Sequence, residues 1–232
     1  MSQSATTHAL RHKQAVAGSV GLALPVLLAV ILALHPPAST ELYDDGVRFV
    51  LHVDGFWVGL HVAAAVVLLG LPLVIGAWAD SARTPAGALF ADLAAKVSVA
   101  GVALGALHLV GTDTVTFLAY QDTLAAGGEA TATGADVLLR LHAATLAVWT
   151  VVLFVAVPLA AAISAWLDAT RGWQFVLPLA TAALAVAAVT VTMVERQWTT
   201  VSEMILFRSS ATLLLVWVFL CGFTLRRAAR RA

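Results

Sequence analysis

Six long runs of apolar residues dominate the chain. To within several residues, they cover positions 15–34, 56–78, 97–119, 137–166, 173–194 and 205–225. An α-helix needs roughly 20 apolar residues to cross the hydrocarbon core of a bilayer. The pattern therefore predicts an all-α, polytopic integral membrane protein in which six transmembrane helices form one bundle.

The composition agrees with this pattern, and too few residues lie between the apolar runs for a separate soluble domain. Hydrophobic residues make up 61% of the chain and charged residues 11%, whereas soluble domains carry about a quarter of their residues as charges. We expect an N-terminal tail over 1–14, one transmembrane domain over 15–225 and a basic C-terminal tail over 226–232. The zero net charge and single Cys221 exclude nucleic acid as a partner and an internal disulfide framework.

The distribution of Lys and Arg predicts the orientation. With the N-terminus inside, nine of the thirteen fall on the cytoplasmic side, as short cytoplasmic loops require. Both termini are then cytoplasmic. Arg11 and Lys13 also precede the first run as in a signal peptide, but that run is too long to be one. Little Lys beside much Ala and Arg indicates a prokaryotic source, so the plasma membrane is the expected location.

Three histidines follow a leucine inside an apolar run: His61, His108 and His142. Ionisable side chains are costly in hydrocarbon, so they indicate a functional site by default. At about 1.5 Å per residue, His61 and His142 lie level with each other near the outer surface, and His108 about two turns deeper. A level pair on two helices is what axial ligation of a b-type haem requires. A copper ion is the alternative, with His52 or Asp54 completing its ligand set.

Other polar residues extend this site. The third run carries a stripe at spacings of four, three and four, which share one helix face: Gly101, Gly105, His108 and Thr112. We favour ordinary helix packing for the two glycines over a slot for a macrocycle. His108 and Asp113 are candidates for a proton path. Arg208 is a candidate for binding a haem propionate, although a solvated charge cluster with Glu195 and Glu203 is the simpler interpretation.

Short phrases around these histidines resemble families that bind haem or handle copper, among them the copper-resistance-D type. They are Leu141-His142 followed by Trp149, and Trp57-Val58-Gly59 beside His61. They cover parts of two helices and do not identify a family. Six-helix di-haem cytochromes b place one histidine pair in each leaflet. No histidine lies near the inner leaflet within a helix here, so the chain resembles at most a single-haem variant.

Three functions remain open from the sequence. The first is membrane redox chemistry through the haem or copper site, with quinone or other membrane subunits as partners besides the lipid bilayer. The second is a small proton-coupled transporter or channel lined by His108, Thr112 and Asp113. It is disfavoured because neither half of the chain contains a helix broken in its middle by paired Gly and Pro, which many transporters have. The third is an anchor or assembly subunit. Common catalytic motifs are missing, so catalytic residues are unknown and enzymatic activity is undecided.

Overall fold

The computed structural model describes residues 3–34, 54–113, 141, 144–170, 172–195 and 201–231. Within these residues all regular structure is helical, as predicted. The α-helices are α1 (Gln3–Leu34), α2 (Asp54–Leu68), α3 (Leu71–Ala79), α4 (Pro85–Ala106), α5 (Val157–Leu167), α6 (Trp173–Glu195) and α7 (Val201–Arg231). Two wider π-helical segments join them: π1 (Leu107–Asp113) continues α4, and π2 (Thr150–Ala156) precedes α5.

Among the described residues, six stretches of helix are long and apolar enough to cross a membrane, which confirms the number of apolar spans. They are numbered here in chain order and cover His8–Leu34, Val58–Ala79, Pro85–Gly111, Ala144–Leu167, Trp173–Val191 and Ile205–Arg231. Consecutive spans pack against each other, and α7 packs back onto α1, so that the bundle closes. At its centre Trp217 is fully buried, and its ring meets Trp78 edge to face at 5.4 Å.

The third span begins twelve residues before its predicted start at residue 97. Thr84 caps the helix because its Oγ1 accepts a hydrogen bond from the Gly87 N–H at 2.9 Å, and Pro85 occupies the first turn, where a missing N–H costs nothing. Lys96 and Asp92 then form an exposed i,i+4 ion pair of 2.6 Å. These charges interrupt the apolar run without interrupting the helix, so the predicted boundary was wrong.

The second span is interrupted in its middle. Leu69 and Gly70 separate α2 from α3, and their N–H groups bond to carbonyls three residues back, at 3.2 and 3.1 Å. The cause is Pro72, which has no N–H and whose ring crowds the carbonyl of Leu68. The expectation that neither half contains a helix broken by paired Gly and Pro is therefore wrong for this span.

One end of the bundle is fastened by polar contacts. The Asp168 carboxylate, just after α5, accepts hydrogen bonds from Arg83 N at 2.8 Å, Thr84 N at 2.9 Å and Thr84 Oγ1 at 2.7 Å. Burial alone would raise the pKa of Asp168, but the hydrogen bonds from Thr84 and Arg83 outweigh it and hold the pKa below its ordinary value. Lys13 pairs with Asp80 at 2.6 Å. These contacts fix the hairpin between α3 and α4 to α1 and α5.

Candidate histidine site

His61 lies about two turns into α2 and faces the bundle. Its side chain is 3% exposed, whereas that of the next residue, Val62, is 40% exposed. An imidazole inside a membrane span is expected to face the protein interior, away from lipid. The predicted ligand His61 is therefore buried inside the bundle, on a helix that contacts both α1 and π1.

His108 is the second residue of π1 and is also 3% exposed. Its Nδ1 lies 3.0 Å from the hydroxyl Oγ1 of Thr145. Thr145 belongs to the helical residues 144–149 of the fourth span, so this hydrogen bond joins the third and fourth spans. Which atom donates depends on the imidazole tautomer.

His108 lies beside the helix that carries His61, because π1 packs against α2. How deep His108 lies relative to His61 stays a prediction. The third span also begins earlier than predicted. Position 108 is 23 residues beyond Pro85 (108 − 85), which corresponds to about 35 Å of helix. His61 and His108 thus occupy the same end of the bundle, opposite the Asp168 contacts.

Trp149 completes the cluster around His108. The two rings are 5.4 Å apart between centroids and inclined by 34°. The indole also fills the space beside the third span, since a Cβ added to Gly105 would lie 2.6 Å from its Nε1, and one added to Gly101 would lie 2.9 Å from Leu153 Cδ1. The glycine stripe is therefore helix packing, as favoured from the sequence. The buried indole Nε1 has no hydrogen-bond partner within the described residues.

Both π-helical segments adjoin this cluster. π1 carries His108, and π2 begins directly after Trp149. Pro158 accounts for π2, because it removes one helical hydrogen bond and crowds the Phe154 carbonyl, which a wider turn relieves. π1 contains no proline. Single π turns inside α-helices occur frequently at functional sites, and this one widens the backbone where the imidazole lies.

The sixth span reaches the cluster through an aromatic residue that the sequence did not single out. Phe207 packs against Phe154 at 5.2 Å and Trp149 at 6.3 Å between ring centroids. Its neighbour Arg208, the predicted propionate ligand, is partly buried in α7. Thr145 and Phe207 were missed because their role depends on contacts between spans, which no local pattern reports.

The remaining predicted site residues are only partly covered. His52 and His142 lie outside the described residues. Asp54 begins α2 and Asp113 ends π1, and their side chains are outside the described set. Among the described side chains, no group of three or more His, Cys, Asp or Glu residues could hold a metal ion. A bare copper ion would therefore need His52, Asp54 or His142, whereas a haem needs only two axial ligands.

Comparison with known proteins adds nothing to this geometry. No protein-family model, no curated protein and no solved structure matches the chain. The function must therefore be argued from the side chains themselves.

Proposed function

We propose that this protein is an integral membrane protein, with both termini cytoplasmic, whose histidine site near the outer surface binds a b-type haem and takes part in membrane redox chemistry. In this proposal His61 and His142 are the axial ligands. The observation that carries it is the burial of His61, which is 3% exposed on the bundle side of α2. A copper ion held by His61 and His142 with His52 or Asp54 is the alternative occupant.

His61 makes an interaction within the protein, and an imidazole has two ring nitrogens. One nitrogen of a neutral imidazole can ligate haem iron while the other interacts with the protein, which is the usual arrangement for a ligating histidine. His142 precedes Thr145 by three positions in the sequence, and Thr145 contacts His108. The proposal assigns the second axial ligand to His142 on this proximity in sequence.

The other residues then have distinct roles. The bound haem would supply one-electron chemistry, with a quinone or another membrane subunit as partner. His108, fixed by Thr145 at 3.0 Å, would hold or move a proton, together with Asp113. Trp149 would keep water from the imidazole by packing against it. Arg208 would bind a haem propionate through its guanidinium group.

The test is the absorption spectrum of detergent-purified protein expressed with haem supplied, recorded air-oxidised and dithionite-reduced beside a metal analysis. We expect the sharp reduced bands of a six-coordinate b-type haem, lost in both His61→Ala and His142→Ala. His12→Ala is the matched control, because His12 is an exposed residue of α1, and it should leave the spectrum unchanged. A colourless, metal-free wild-type protein would overturn the proposal.

A proton-coupled transporter or channel is the second candidate, and two observations favour it. The second span is interrupted at Leu69 and Gly70, and interrupted spans recur at transporter binding sites. His108, a protonatable residue, lies in a widened turn and is bonded across to the fourth span. This candidate predicts that Asp113→Asn abolishes pH-dependent proton flux in liposomes while wild-type haem content is nil. Flux unaltered by Asp113→Asn would exclude this pathway.

A further inference from the structure

The two ends of the described chain run side by side in opposite directions. A Cβ added to Gly21 would lie 2.7 Å from Gly222 Cα, and one added to Gly18 would lie 2.7 Å from Arg226 N and 3.0 Å from Arg226 Cβ. Arg226 Nη1 donates a hydrogen bond of 2.6 Å to Ser19 Oγ, although the residues are 207 positions apart in sequence. The start of α1 and the end of α7 therefore form one paired unit.

This pairing brings arginines from both ends to the same groove. Arg11 precedes Gly18 by seven residues and therefore lies on the same face of α1 as Gly18, which contacts α7. Arg230 follows Arg226 by four residues and shares its face of α7. All three arginines are exposed. The groove between α1 and α7 is thus bordered by Arg11, Arg226 and Arg230. Measured round α7 from Gly222, which packs against α1, Arg226 and Arg230 lie at about 40° and 80°, whereas Arg227 and Arg231 lie further from α1, at about 140° and 180°.

No described carboxylate neutralises this groove. The ion pairs among the described residues are Lys13 with Asp80 and Lys96 with Asp92, and none includes these arginines. Several guanidinium groups brought together repel one another unless an anion lies between them. Phosphate suits this arrangement, because guanidinium forks bind its oxygens through paired hydrogen bonds.

The same side of α7 continues as an apolar surface. Phe219 and Phe223 precede Arg226 and Arg230 at spacings of four, three and four residues, so all four share one face. Phe219 is 40% and Phe223 55% exposed. An apolar strip next to a cationic groove is complementary to an anionic amphiphile. The acyl chain would lie beside the phenylalanines and the anionic group beside the arginines.

We propose that this groove is a binding site for an anionic phospholipid, with its phosphate between Arg11, Arg226 and Arg230 and an acyl chain along Phe219 and Phe223. The inference rests on membrane insertion of the bundle, and not on the haem site. Basic clusters at the end of a membrane helix attract anionic headgroups. Here the pairing of α1 with α7 would add a defined location to that general attraction.

The test is native mass spectrometry of the full-length, detergent-purified protein titrated with phosphatidylglycerol or phosphatidylcholine of the same acyl chains. We expect tighter binding of phosphatidylglycerol, weakened roughly 30-fold in R226Q/R230Q by the loss of two cations. R227Q/R231Q removes the same charge from the same helix end and should change affinity less than about threefold.

Two outcomes would overturn the site. An equal loss of phosphatidylglycerol affinity in R226Q/R230Q and R227Q/R231Q would mean that the basic tail attracts the lipid diffusely. Equal affinity of the wild-type protein for phosphatidylglycerol and phosphatidylcholine would mean that no site for an anionic headgroup exists. Because Arg226 packs against α1, R11Q/R230Q repeats the test with two exposed side chains and should weaken binding to a similar degree. The haem spectrum is measured on the same samples. Its presence or absence leaves the lipid result unaffected, so the two proposals fail independently.

Discussion

The indole of Trp149 occupies the volume that a side chain at Gly105 would need. The Cβ of any other residue at that position would lie 2.6 Å from Trp149 Nε1 and 2.8 Å from its Cε2, which is well inside van der Waals contact. Since the ring of Trp149 also packs on His108, the glycine fixes the indole and the indole supports the imidazole. The close contact between the third and fourth spans therefore determines the arrangement of the candidate site.

Replacing Gly105 with alanine should displace Trp149 and destabilise the bundle. Overpacking of this kind costs about 1 to 3 kcal/mol, so we expect a lower melting temperature in detergent. Gly76→Ala is the matched control, because a Cβ at Gly76 meets nothing within 4 Å and alanine favours a helix over glycine. It should melt at or above the wild-type temperature. If Gly105→Ala has the same melting temperature as Gly76→Ala, the indole does not occupy this position.

Replacing Thr145 with valine keeps the shape of the side chain and removes the hydroxyl that bonds His108 Nδ1 at 3.0 Å. We expect a loss of about 1 kcal/mol in unfolding free energy, typical of a side-chain hydrogen bond, and altered pH dependence of whichever activity the site supports. Thr145→Ser retains the hydroxyl and should restore both properties towards wild type. The measurement is denaturant unfolding followed by tryptophan fluorescence. A serine variant as unstable as the valine variant would point to packing of the methyl group instead.

Some of this architecture could be predicted from the sequence, because the length of an apolar run indicates whether a helix can cross a bilayer. The six apolar stretches and the packing role of Gly101 and Gly105 follow from composition and spacing. The start of α4 could not be predicted, because the Lys96 and Asp92 pair looks like a break in hydropathy although it is a helical ion pair. The site around His108 depends on contacts with Thr145 and Trp149, which belong to another span.

Asp168 should make the stability of the bundle sensitive to acid. Its folded pKa is lowered from an ordinary value of 3.8, so its contribution is fully present above about pH 4 and is lost as the pH falls through the lowered folded value. Asp168→Asn should lose about 1 kcal/mol at pH 7, because an amide presents a donor to one of the groups that now donate to the carboxylate.

The measurement for Asp168 is the melting temperature between pH 7 and pH 3. The wild-type protein should lose more stability across this range than Asp168→Asn, which has no carboxylate to protonate. Asp92→Asn is the control, since Asp92 forms an exposed surface pair with Lys96, and such pairs contribute little. Parallel acid profiles for wild type and Asp168→Asn would show that the hairpin contacts do not stabilise the fold.

The contact between α1 and α7 is as close as that beside Gly105, and here the neighbour is backbone. A Cβ added to Gly222 would lie 2.6 Å from the Gly21 carbonyl carbon and 2.8 Å from Gly21 Cα. Backbone cannot rotate away as a side chain can, so Gly222→Ala must separate the two helices. We expect a cost at or above the upper end of about 1 to 3 kcal/mol for overpacking, and weaker phosphatidylglycerol binding because the arginine groove widens.

Gly59→Ala is the matched control, because a Cβ at this helix position meets nothing within 4 Å. It should alter neither the stability nor the lipid affinity. If Gly222→Ala retained both wild-type stability and wild-type lipid affinity, close apposition of α1 and α7 could not be what brings Arg11 and Arg230 together.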